Sequence, residues 1–249
     1  MNLSKISIII EDEILRGVKS RHVWLFGAAL AFICILAMHY SASIAFLFPN
    51  LERIPYTYVS FMTILLIGPF FILITAFDSI SSEIETGTIR YIVSKIDRAS
   101  FILGKFLFLF LIFTFFTFVV AVMGQVYNYQ SGNSLELGKA ISFWLLSSLY
   151  IGCFISIFIF VSTLSETNKI AFTMSAILLA IIMYFFLQGD IEILKQITPY
   201  HYAFAVLDNM KYTLDKTVYF DIFRNLFSLL FFIVATLSID IFTFKRREL

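Results

Sequence analysis

The chain has 249 residues, 60% of them hydrophobic, with 31 Phe and 12 Tyr and a mean hydropathy of +0.91. A water-soluble domain of this length needs many more polar side chains to cover its outside, so composition excludes one and makes lipid the surrounding medium. The net charge of +1 argues against a nucleic-acid or acidic-substrate partner, and Cys34 and Cys153, both inside apolar blocks, offer no disulfide framework.

In chain order, residues 1–22 come first. Leu3, Ile6, Ile10, Ile14 and Val18 recur at steps of three and four, while Lys5, Glu11, Asp12, Arg16 and Lys19 mostly occupy the other faces. This pattern predicts an amphipathic helix lying along the headgroup layer, the alternative being a solvated helix that leads into the first span. The mixture of both charge signs, followed by a long apolar block, does not fit a removable signal peptide.

Crossing a bilayer core takes about 20 apolar residues per helix. That length places spans at Trp24–Leu47, Val59–Phe77, Phe106–Val126, Ile141–Leu164, Ile170–Leu187 and Leu226–Phe244. The apolar residues fall in blocks rather than alternating, which favours helices over a barrel. The expected fold class is therefore an all-α membrane protein with six transmembrane helices. If the N-terminus is cytoplasmic, twelve of the 18 Lys and Arg lie on the cytoplasmic side and six opposite, so basic-residue bias puts both termini in the cytoplasm. The long connection 188–223 then lies outside. Pro199 is expected to start a short helix there, either re-entrant or capping the bundle.

Between the second and third spans lies a charged island, "SSEIETGTIRYIVSKIDRASFILGKF" (81–106). The second span is expected to continue as helix past Phe77, carrying Asp78, Glu83 and Glu85 about 12 Å beyond the membrane face. Gly87 should break that helix and Thr88 cap a short new one, with Ile89, Ile92 and Val93 on its apolar side and Arg90 and Lys95 elsewhere. Ser100 is expected to cap the helix that enters the third span. A short amphipathic helix held between two spans suits a groove on a soluble protein; a solvated loop is the other reading of these residues.

Other chemistry is missing from the sequence. No H-E-x-x-H is present, and His22, His39 and His201 are not at metal-ligand spacing, so no metal site is expected. Gly104–Lys105 is followed by Phe106, and Ala99 stands where a phosphate-loop glycine belongs, so the chain is not expected to bind ATP itself or to be an enzyme. Tyr40, Gln125, Tyr150 and Tyr184 are candidates to line a pathway, against the reading of interhelical bonds and interfacial tyrosines. His39 fits a structural, hydrogen-bonded role, and Asp240 is expected to pair with Lys245, Arg246 or Arg247.

Glu83, Glu85, Gly87 and Thr88, an apolar run, Arg98 and the "LGKF" of 103–106 together resemble the segment between the second and third spans of type-2 ATP-binding-cassette (ABC) permeases. The amphipathic start, the six spans, the outer segment with Pro199 and the basic C-terminal end are similar as well. The resemblance implies an interfacial helix (1–22) and a six-span permease domain (23–249) with a cytoplasmic coupling loop (78–100) and an outer loop (188–223). It implies the transmembrane subunit of an exporter in a prokaryotic inner membrane, pairing with a second permease subunit as a homodimer and with two cytoplasmic ABC ATPase subunits. ATP and Mg would be bound by those partners, and no cofactor by this chain. Glu83, Glu85, Gly87, Thr88, Ile89, Arg90, Ile92 and Val93 would form the docking surface. The alternative is a membrane scaffold or signalling anchor that recruits a cytoplasmic partner without transport.

Overall fold

The computed structural model describes residues 21–40, 56–131, 137–187, 195–196, 198–209 and 216–247. Nearly all are helical, with no strand among the described residues. The helices are α1 (Arg21–His39), α2 (Tyr56–Ala76), α3 (Ser81–Glu85), α4 (Ile89–Lys95), α5 (Arg98–Gln130), α6 (Leu137–Leu164), α7 (Asn168–Leu187), α8 (Pro199–Asn209) and α9 (Lys216–Arg246). Six helical segments are long and apolar enough to cross a membrane: α1, α2 with α3, α5, α6, α7 and α9. The expected interfacial helix (but for its last two residues) and the end of the first span fall outside the described residues.

The bundle is built around α6, which packs on α2, α5 and α9. Every residue from Tyr150 to Ile159 of α6 is buried. On α1, α7 and α9, by contrast, Phe32, Phe172, Ile177 and Phe231 are exposed, as side chains facing hydrocarbon would be. Lipid gives apolar helices no hydrophobic reason to associate, so close backbone approach and polar contacts must do it. A Cβ on Gly152 of α6 would come within 2.9 Å of Ile233 and 3.0 Å of Phe110, and one on Gly27 of α1 within 2.3 Å of the Phe116 ring.

Polar contacts run along the same interfaces. The Cys153 thiol donates to the Leu229 carbonyl (3.4 Å), Thr236 Oγ1 donates to Ser156 Oγ (2.7 Å), and Thr163 Oγ1 lies 2.6 Å from Asp240 Oδ1. The numbers rise together on α6 and α9, so the two helices run parallel, with a polar seam between them. On the α5 side, Trp144 Nε1 donates to the Thr114 carbonyl at 3.1 Å.

One contact repairs a break in α2. Pro69 lies inside this helix and has no N–H, which leaves the Leu65 carbonyl, four residues earlier, without its helical donor. The fully buried Tyr150 hydroxyl donates to that carbonyl at 2.8 Å.

Three local expectations are corrected. The second span does not continue as unbroken α-helix past Phe77: α2 ends at Ala76, and a turn over 77–80 leads into α3. Ser162 Oγ of α6 accepts the N–H groups of Ile80 (3.0 Å) and Ser81 (2.9 Å), drawing the chain back against the bundle and burying Ile80 completely. The last helix begins at Lys216, ten residues before the expected span, so the outer connection is shorter. Thr88 and Ser100 do not cap by their side chains. Thr88 Oγ1 turns back to the Glu83 carbonyl (3.3 Å), and Asp97 caps α5, accepting from Ser100 N (3.2 Å) and Ser100 Oγ (2.8 Å).

Pro199 does open a helix. Its neighbour Tyr200 sits edge-on to Tyr150 and Phe154 of α6 and stacks on Phe186 of α7, with centroids 5.2–5.7 Å apart.

The Tyr150 contact yields a test. Tyr150→Phe should lower stability by about 1 kcal/mol, the usual net worth of a hydrogen bond. Because Pro69→Ala restores a backbone donor for Leu65, the loss should largely vanish in that background, as read by thermal midpoints of the four variants.

Candidate functional site

The charged island folds into a short hairpin of α3 and α4 joined through Gly87, whose φ of 73° is the left-handed conformation that a side chain disfavours. A Cβ there would touch nothing, so the requirement for glycine is one of backbone conformation and not of space.

The hairpin has an inner and an outer side. Ile89 is 2% exposed, and Ile84, Ile92, Val93 and Ile96 pack against the same core, so the apolar stripe of α4 faces the chain's own bundle. The bundle covers Ile89, expected to fill a partner's groove, and partly covers Ile92 and Val93. The outer side carries Glu85, Thr86, Gly87, Thr88, Arg90, Tyr91, Ser94 and Lys95, all exposed. Lys95 bonds the Tyr91 hydroxyl and lies 4.2 Å from the centroid of its ring, which leaves the Tyr91 ring 65% exposed beside Arg90.

Glu83 is also turned inward. Its carboxylate meets Lys105 Nζ of α5 at 2.7 Å, with side-chain exposures of 12% and 9%. Glu83, expected on the docking surface, thus lies inward: a carboxylate this deep needs a cation, and Lys105 supplies it from inside.

The base of the hairpin is tied to the ends of other helices. Glu85 Oε2 accepts the Asn168 N–H (2.9 Å), one of the free donors at the start of α7, and Asn168 Oδ1 accepts from Ser81 Oγ at 2.7 Å. Arg98 Nη1 lies 2.6, 2.9 and 2.9 Å from the carbonyls of Phe244, Lys245 and Arg247, where α9 ends, and Phe101 stacks on Phe244. Arg247 in turn donates to the Thr163 and Ser165 carbonyls at the end of α6. Cations placed on the last carbonyls of a helix also oppose its dipole.

The four candidate pathway residues occupy different settings. Tyr40 at the end of α1 and Tyr184 on α7 are 58% and 55% exposed, while Gln125 and Tyr150 are buried. Tyr150 is committed to the Leu65 carbonyl. His39 is exposed and edge-on to Tyr40 and Tyr127. Asp240, expected to pair with the basic end, bonds Thr163 instead, and it has no ion pair among the described residues.

Sequence reading missed Ser162, Asn168 and the bracing roles of Lys105 and Arg98. Asp97 was within reach, since Asp three residues before Ser100 and ahead of an apolar run is a helix-start signal.

Residues 7–249 match the family model described as ABC-2 family transporter protein. The chain belongs to that family and is the membrane permease component of an ABC transporter, a class whose permeases generally partner with ATPase subunits. No curated protein matches the chain.

Removing one partner of a buried ion pair costs about 3–5 kcal/mol, because the other charge is left uncompensated. Glu83→Gln or Lys105→Met alone should therefore lower the thermal midpoint sharply, and the double variant should recover most of the loss. Additive losses would show that the pair is not coupled.

Proposed function

We propose that this permease works in an ABC exporter as a homodimer carrying two cytoplasmic ATPase subunits, and that the outer side of the α3–α4 hairpin is where each ATPase docks. The observation that carries this reading is the combination of an exposed Arg90–Tyr91–Lys95 face with a base fastened to α5, α7 and α9. An exposed loop with no such fastenings would yield under load; this one passes displacement into three spans.

In this reading ATP and Mg are bound by the partner, whose closure moves the hairpin. Glu85 carries the movement to the start of α7, and Arg98 carries it to the end of α9. Gly87 sets the turn that presents Arg90 and Tyr91, and Glu83 serves as a brace, not a contact. The chain itself catalyses no reaction and holds no cofactor. The basic end of α9 and the hairpin lie on one side, which basic-residue bias makes the cytoplasm, and the family resemblance suggests the inner membrane of a prokaryotic cell. The Lys245, Arg246 and Arg98 side chains belong to that side.

Arg90→Glu separates docking from folding, since Arg90 is exposed and has no part in the brace. Reversal of a charge at an interface should weaken co-purification of the ATPase by about tenfold or more, with the thermal midpoint of the permease unchanged. Undiminished co-purification together with undiminished ATP turnover would remove the hairpin from the docking surface. ATP-driven cargo movement in vesicles distinguishes the transporter from a scaffold that recruits a partner without transport.

A further inference from the structure

The α6–α9 polar seam ends at Asp240, whose side chain is completely buried. Its Oδ1 lies 2.6 Å from Thr163 Oγ1, and that same hydroxyl oxygen lies 2.6 Å from the Phe160 carbonyl. A hydroxyl can donate fully to only one of two such acceptors, and the other contact is then unfavourable unless its partner brings a hydrogen. A carbonyl has none to give and a threonine hydroxyl has one. If Thr163 donates to Phe160, the hydrogen between Thr163 and Asp240 must belong to Asp240.

A second observation points the same way. Asp240 Oδ2 is buried with no hydrogen-bond partner. An ionised carboxylate with one oxygen unsatisfied is among the costliest groups to bury, whereas the carbonyl oxygen of a neutral acid is far less demanding.

The charged groups around this end of the seam are engaged elsewhere or exposed. From α5, Arg98 holds the carbonyls at the end of α9, Lys105 holds Glu83, and Asp97 caps its own helix. Arg247 holds the Thr163 and Ser165 carbonyls. On α9, Lys245 is exposed, and Arg246 lies 4.1 Å from the Phe242 ring centroid. Glu166, just past α6, is exposed. Among the described residues no cation forms an ion pair with Asp240.

We propose that Asp240 is a proton-binding site: it holds a proton in the folded permease and donates it in a hydrogen bond to Thr163. Release is a simple ionisation in which the carboxylic acid becomes a carboxylate and one proton passes to water. Thr163's single hydrogen then turns from Phe160 to Asp240. The proton thus sets which of the two groups donates across the α6–α9 joint, independently of which partner docks on the hairpin.

The test uses the full chain in lipid nanodiscs. Infrared difference spectra of wild type against Asp240→Asn should contain the carbonyl band of one protonated carboxylic acid, shifted in heavy water and displaced in Thr163→Val, and the band should fade as pH is raised. Asp240→Asn keeps a neutral donor of the same shape, so it should fold with a thermal midpoint close to wild type, while Asp240→Ala should fall well below it. Carboxylate bands alone in the wild type, or an Asp240→Asn variant that unfolds as readily as Asp240→Ala, would overturn the proposal.

Discussion

Inside a bilayer no water stands ready to bond a free N–H or C=O, so every interruption of a helix must find a partner within the protein. Among the described residues the helices are interrupted repeatedly, and at several of these places a side chain from another helix completes the break. Tyr150 serves the carbonyl that Pro69 leaves free, and Ser162 serves the two amides at the turn after α2. At the island end of the bundle Glu85, Arg98 and Arg247 serve the termini of α7, α9 and α6. Helix ends that would otherwise be liabilities become the joints of the structure.

These joints explain the dense polar segment in an apolar chain. The island's residues divide into those that hold the bundle and those that face outward. Glu83, Glu85, Asp97, Arg98 and Lys105 belong to the first group, and Arg90, Tyr91 and Lys95 to the second. In the proposed docking, the second group is the face for an ATPase and the first is the base through which force on that face reaches the spans. The parallel seam of α6 and α9, ending at Asp240 and Thr163, lies beside the same joints, so its proton and the hairpin act on one end of the bundle.

Much of this was legible in the sequence. Blocks of apolar residues near bilayer length fix the six spans; Pro199 marks α8, and Gly87 marks the left-handed turn. What escaped was the direction of side chains. The stripe Ile89, Ile92 and Val93 shows only that α4 has an apolar side; whether it faces a partner or the chain's own core depends on α2 bending at residues 77–80. That bend is set by Ser162, about eighty residues away, and local propensity carries no trace of it. Arg98 likewise finds its carbonyls nearly 150 residues on. Glu83 read as a surface charge because its cation, Lys105, is 22 residues further along on another helix.

Hydrogen exchange in the purified permease, comparing wild type with Glu85→Ala and Arg98→Ala, tests most directly whether the hairpin is joined to the spans. Loss of Glu85 should free the amides of the first turn of α7, and loss of Arg98 should free the last turn of α9, each together with the hairpin 81–96. Exchange that changes only at the substituted residues would mean that the hairpin is not joined to those helices, and the account of how force reaches the spans would fail.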